Sequence, residues 1–241
     1  MWRRLVLFLH LAFASSLLLV ALSVTCCVSF PSEEPPYSVE SPTVWVHASS
    51  ENSVSAGSGV CLHSSPTHGH YFLTNAHVIL AWFTPANDVR VGFTEGEGVS
   101  ATVMVSRLDW MSGELLDERL DLAVLWSPYL GEVYPSLQRI APANPSPGDA
   151  VRVATYRPRP HPHVLLGAAV ASMGWVTELL MEEEVIPGNS GSAVYDAEDR
   201  LVGLIWGSKT GSMEAQMVGV PAIREALSTP RLRWLLDEKS K

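Results

Sequence analysis

Positive charge is scarce in this chain of 241 residues, with 16 Lys and Arg against 25 Asp and Glu and a formal net charge of −9. Proteins that hold nucleic acid neutralise phosphates with a basic face, so a DNA- or RNA-binding role is excluded. Cysteine is scarcer. Cys26 and Cys27 stand together near the N-terminus, and Cys61 is alone in the rest of the chain. One cysteine cannot close an internal disulfide, so the body must be held by its apolar core. The setting Gly-Val-Cys-Leu around Cys61 reads as a strand interior with the thiol as a small buried hydrophobe. Disorder is excluded too, because 47% of residues are hydrophobic and only 17% are charged. The two halves of the body share no sequence repeat.

Charge is missing altogether from Leu5 to Pro31, behind Arg3 and Arg4. That run exceeds the apolar core of about 7–15 residues typical of a secretory signal and reaches the roughly 20 residues that span a bilayer. The arginines favour the cytoplasmic side, which puts everything after Phe30 outside. Residues 1–30 are therefore expected to form a transmembrane signal anchor or a cleaved signal peptide. Residues 31–41 read as a Pro-rich acidic linker, and 42–237 as the folded body. The expected location is membrane-anchored or secreted, with the body extracytoplasmic and the N-terminal segment in contact with membrane.

Beyond Ser41, short apolar runs alternate with turn residues. Val44 and Val46, Gly57 to Leu62, Tyr71 to Thr74, Asp88 to Phe93, Val99 to Val105, and Leu122 with Val124 and Trp126 make six strand candidates. A Pro-rich joint from Ala141 to Gly148 follows. Six more candidates come after it: Ala150 to Tyr156, Val164 to Met173, Trp175 to Glu178, Ser192 to Tyr195, Leu201 to Trp206 and Gln216 to Val220. Period-2 alternation between turns is the mark of antiparallel sheet. The expected fold is all-β, with two six-stranded antiparallel barrels over about 42–130 and 147–221. Ile223, Ala226, Leu227, Trp234 and Leu235 predict a C-terminal helix over about 222–237, interrupted near Pro230.

Three separated segments carry chemistry together. His77 follows the third strand in Thr-Asn-Ala-His, Asp121 leads the sixth in Asp-Leu-Ala-Val-Leu, and Ser190 lies in Gly-Asn-Ser-Gly-Ser. Asp109, Asp117 and Asp149 are alternative acids, but only Asp121 opens an alternating apolar strand. In this order and setting the chain resembles the chymotrypsin-like (trypsin-like) serine proteases. The likeness is to the bacterial branch of HtrA-type proteases and glutamyl endopeptidases, with Gly57-Ser-Gly59, Gly148-Asp149 and the 167–174 segment as further landmarks. The resemblance implies a serine endopeptidase acting on polypeptide substrates with a His77–Asp121–Ser190 triad, no cofactor and no metal. Ser190 would attack the carbonyl, His77 would take and return the proton, and Asp121 would orient the imidazole. The backbone amides of Gly188 and Ser190 would form the oxyanion hole. A catalytically silent peptide-binding or sensing module on the same fold is the alternative.

The likeness has limits. Asn189 stands where trypsin-type enzymes have an acid that pairs with a new N-terminus, so activation by N-terminal clipping is not expected. Counting back six residues from Ser190 places Glu184 at the floor of a specificity pocket, where it would favour a basic side chain. Ile205, before Trp206 and Gly207, replaces the His that binds a substrate carboxylate in glutamyl endopeptidases, which argues against acidic specificity. A small or medium apolar side chain before the scissile bond is the favoured expectation, ahead of a basic one. His161 and His163, with His68 and His70, are the histidines a metal would need, but the intervening Pro162 points to an exposed loop.

Overall fold

The computed structural model describes residues 42–240 except 82–83, 95–96, 107–120, 130, 132, 157–162 and 210. The expected N-terminal anchor and linker, Cys26 and Cys27, Asp109 and Asp117, and His161 lie outside the described residues. Among those described, no helix is long and apolar enough to cross a membrane.

The alternating segments form two barrel-like antiparallel sheets, as expected. The first has seven strands: β1 (Thr43–Ser49), β2 (Val54–Ser65), β3 (Gly69–Thr74), β6 (Asp88–Thr94), β7 (Glu97–Ser100), β8 (Thr102–Ser106) and β9 (Ala123–Ser127). Their spatial order is β7-β6-β1-β2-β3-β9-β8. A small ribbon of β4 (Leu80–Ala81) and β5 (Thr84–Pro85) follows the turn after β3. The second sheet is a closed barrel of β10 (Ala150–Thr155), β11 (His163–Met173), β12 (Val176–Met181), β13 (Ala193–Tyr195), β14 (Leu201–Ser208) and β15 (Glu214–Gly219), with order β10-β11-β12-β15-β14-β13. Two short helices end the chain, α1 (Val220–Leu227) and α2 (Arg233–Lys239), with the break at Pro230 between them.

One expected strand divides. The apolar alternation from Val99 to Val105 reads as continuous, yet the chain breaks pairing at Ala101. Before it, β7 pairs with β6; after it, β8 pairs with β9. The Ala101 amide donates to the Val89 carbonyl at 2.8 Å, so the corner costs no buried backbone donor. Seven strands in place of six result, because one run serves both edges of the sheet.

Burial follows the pleat. Val44, Val46, Cys61, Phe72, Val91 and Leu125 fill the inside of the first sheet. Val60, Leu62, Leu73 and Val124 face the other way and join the core of the second barrel and α1. Cys61 is fully buried, and burial pushes its thiol up to about 12, which leaves it unreactive in the fold.

His70 on β3 is also fully buried, against Phe72 and Tyr134, and its Nδ1 lies 2.9 Å from the Ser64 hydroxyl. Burial, with a smaller contribution from His63, pushes its imidazole below the ordinary value of about 6.5. The unfolded chain therefore takes up a proton near the ordinary value that the folded chain refuses. Stability is full above that pH and is lost as pH falls through it towards the lowered folded value. His63, lowered by burial despite Glu238, acts in the same direction. Urea midpoints measured from pH 7.5 to 5 should fall on the acid side, and His70→Phe should flatten that fall. An unchanged slope in the variant would remove His70 from this account.

Candidate active site

His77 sits in a single 3-10 turn, Ala76–Ile79, directly after β3. Ala76, Val78 and Ile79 are buried and anchor the turn, while the His77 side chain keeps 36% of its surface exposed. The pairing of β3 with β9, in which Thr74 faces Ala123, sets the residues after β3 opposite those before β9. Asp121 is thereby placed beside His77. It is fully buried, its Oδ1 accepts the His77 backbone N–H at 2.8 Å, and its Oδ2 pairs with His77 Nδ1. Asn75, also fully buried, donates from Nδ2 to the Asp121 carbonyl at 2.8 Å. A buried carboxylate is costly unless its oxygens receive donors. Here both oxygens are engaged by one histidine, which fixes the ring tautomer with Nε2 left for chemistry.

Ser190 lies on the second barrel, between the 182–189 loop and β13. Gly191 after it has φ of +83°, and a Cβ there would run into the Ser58 carbonyl and the Thr74 hydroxyl. The loop meets the first sheet over Gly57, whose missing Cβ would lie 2.7 Å from the Ser190 carbonyl and 2.8 Å from a Val78 methyl. The Ser190 loop and the His77 turn thus share one contact point. The Ser190 hydroxyl is partly exposed and donates to the Trp206 carbonyl at 3.5 Å.

The amides of this loop divide into two sets. Asn189 donates to Ile186, Gly191 to Ile205 and Ser192 to Asn189. The amides of Gly188 and Ser190 have no hydrogen-bond partner among the described residues. Gly188 has φ of +100°, a conformation open to glycine and costly for other residues.

A cleft of about 830 Å³ opens beside these groups, lined by His77, Val170, Leu180, Trp206, Glu178 and Glu214, among others. Trp206 and Gly207 line it. Ile205 is fully buried in the core, and Glu184 is exposed, accepting the Gly211 amide at 2.8 Å; neither lines this cleft. Glu178 and Glu214 are neighbours that sequence counting does not find. The pairing of β12 with β15, with Glu178 opposite Gln216 and Leu180 opposite Glu214, puts them on one face. Asp149 is remote in role, its carboxylate accepting the Ser146 amide. His70 lies on β3 and His68 in the turn before it, whereas His163 opens β11 with Glu183 3.7 Å away. No group of three metal-ligating side chains occurs among the described residues.

Known structures share this fold. The Rv3671c protease of M. tuberculosis, in its active form, superposes with a TM-score of 0.60 at 19% identity, over 79% of this chain and 81% of that one. The serine endoprotease of Yersinia pestis gives 0.57 at 24% identity, over 85% and 69%. An HtrA-type protease with a tripeptide gives 0.58 at 21% identity, over 79% of this chain and 60% of its own. At these identities the likeness is one of fold. No curated protein sequence matches significantly. The family model for the trypsin-like peptidase domain matches residues 57–204, which run from the glycine that meets the Ser190 carbonyl to the middle of β14. Since that match covers more than half of the sequence, the chain belongs to the trypsin-like peptidase family and is, by class, a serine endopeptidase.

Proposed function

We propose that the chain cleaves polypeptides with Ser190 as nucleophile, His77 as general base and acid, and Asp121 as the group that orients the imidazole. The observation that carries this reading is the buried Asp121 carboxylate, both of whose oxygens are held by His77. Ser190 Oγ attacks the scissile carbonyl and its proton passes to His77 Nε2. The same proton then goes to the departing amine, leaving an acyl-enzyme that water hydrolyses with His77 again as base. The tetrahedral oxygen is received by the amides of Gly188 and Ser190, neither of which donates to a described residue. The charge-free run behind Arg3 and Arg4 supports action outside the cytoplasmic membrane.

The cleft beside His77 favours an apolar substrate side chain, since Val170, Leu180 and Trp206 form part of its wall. Glu184 is spent on the Gly211 amide at the surface. A carboxylate beneath an apolar side chain would be expensive to desolvate, and this one is not asked to be there.

Two outcomes are expected. Ser190→Ala should end labelling by a fluorophosphonate probe and peptide hydrolysis, and Asp121→Asn should lower kcat by on the order of 10⁴, both with thermal midpoints near wild type. Labelling of Ser190→Ala at another serine would overturn the triad. Glu184→Gln should leave the cleavage profile of a peptide library unchanged, whereas loss of a Lys/Arg preference in that variant would restore Glu184 as the pocket floor.

A further inference from the structure

The segment Gly57-Ser58-Gly59 crosses from the first sheet to the nucleophile loop, and its serine is fully buried at the crossing. The glycines are explained by space. A Cβ at Gly57 would press on the Ser190 carbonyl and Val78, and one at Gly59 would lie 2.9 Å from the Leu73 carbonyl. Space does not explain the serine between them. Its hydroxyl donates to the Gly188 carbonyl at 3.2 Å and accepts the Tyr156 amide at 3.0 Å. It also lies 3.3 Å from the Thr155 hydroxyl. Thr155 in turn receives the Asn189 side-chain amide at 2.5 Å.

These contacts form a chain. The Ser58 proton goes to the Gly188 carbonyl, and the contact between the two hydroxyls joins that bond to Thr155. The path runs from Asn189 Nδ2 to Thr155, from Thr155 to Ser58, and from Ser58 to the carbonyl of Gly188. It begins and ends on adjacent residues of one loop and is closed through two strands, β2 and β10, of different sheets. Ser58, Thr155 and Asn189 are each at most 1% exposed. The Asn189 amide N–H donates to Ile186 at 3.0 Å, so the Gly188–Asn189 peptide is gripped at both its oxygen and its nitrogen.

We propose that Ser58 is a positioning residue for the oxyanion-binding loop: its hydroxyl closes a buried hydrogen-bond ring that sets the Gly188–Asn189 peptide so that the Gly188 and Ser190 amides stay free for substrate. This rests on the reading of those amides as the oxyanion donors. Gly188 has little intrinsic preference for one orientation of its peptide planes, so the orientation has to be imposed. In trypsin-type enzymes an acid at the Asn189 position meets a new N-terminus. Here the residue is a neutral amide, and the ring supplies the constraint without any charge.

The test uses the full chain with Ser58→Ala and Thr155→Val, assayed per titrated active site. Ser58→Ala should lower kcat 10- to 100-fold with KM within twofold. The inhibition constant of a peptide boronate should rise by a similar factor, because its tetrahedral oxygen needs the same donors. Thr155→Val should give a smaller loss of the same kind, and the double variant should be no worse than Ser58→Ala alone, since one ring is broken once. A residue that only supports the fold would change the titrated fraction and leave kcat per site and boronate affinity alone; that result overturns the proposal. Hydrogen–deuterium exchange of residues 186–192 reads the ring without catalysis and should accelerate at least tenfold in Ser58→Ala. Were wild-type Ser190 to resist the probe, the triad reading would fail by itself, and unchanged exchange in Ser58→Ala would still refute the ring.

Discussion

The site depends on one close approach, that of β2 to the loop carrying Ser190. Backbone touches backbone there: the Ser58 amide donates to the Ser190 carbonyl at 2.8 Å, and the Ser58 carbonyl accepts the Thr74 hydroxyl at 2.7 Å. A Cβ at Gly57 or at Gly191 would run into this contact, which is why glycine precedes Ser58 and follows Ser190. The approach sets the spacing between the two sheets. With Thr74 three residues before His77, it also ties that spacing to the turn that carries the imidazole.

The imidazole and its carboxylate come from a different source, the register of β3 with β9. Antiparallel pairing that ends at Thr74 and Ala123 delivers His77 and Asp121 side by side from positions 44 residues apart in sequence. Placing a carboxylate at zero exposure would oppose folding if its oxygens were unmatched. The backbone and ring donors of His77 offset that cost, and Asn75 holds the Asp121 carbonyl as well. A slip of the strands by one residue would undo all of these contacts together.

Much of this was legible in the sequence because it obeys local rules. Period-2 alternation marks the strands, and the break at Pro230 separates the two terminal helices. The Val99–Val105 run misled because alternation reports which face a residue occupies and says nothing about which neighbour it pairs with. His77, Asp121 and Ser190 stood out through their order and surroundings. Ser58, by contrast, has no signal of its own, since a serine between two glycines reads as a turn until Gly188 and Thr155 are brought to it. For Glu184, counting along a loop fixes a position in sequence but not the partner of the carboxylate, which meets the Gly211 amide at the surface. Glu178 and Glu214 lie 36 residues apart and become neighbours only through the pairing of β12 with β15.

Cys61 has a practical side. It lies in the interior of β2, the strand that reaches the loop carrying Ser190, with its thiol buried and held in the protonated form. A thiolate is the species that alkylating and disulfide reagents capture, so capture requires the strand to leave its neighbours. Any folded fragment starting after Cys27 carries this single sulfhydryl and no other. Its rate of modification is then a built-in clock for opening of the first sheet, read without an added label and without reference to hydrolysis.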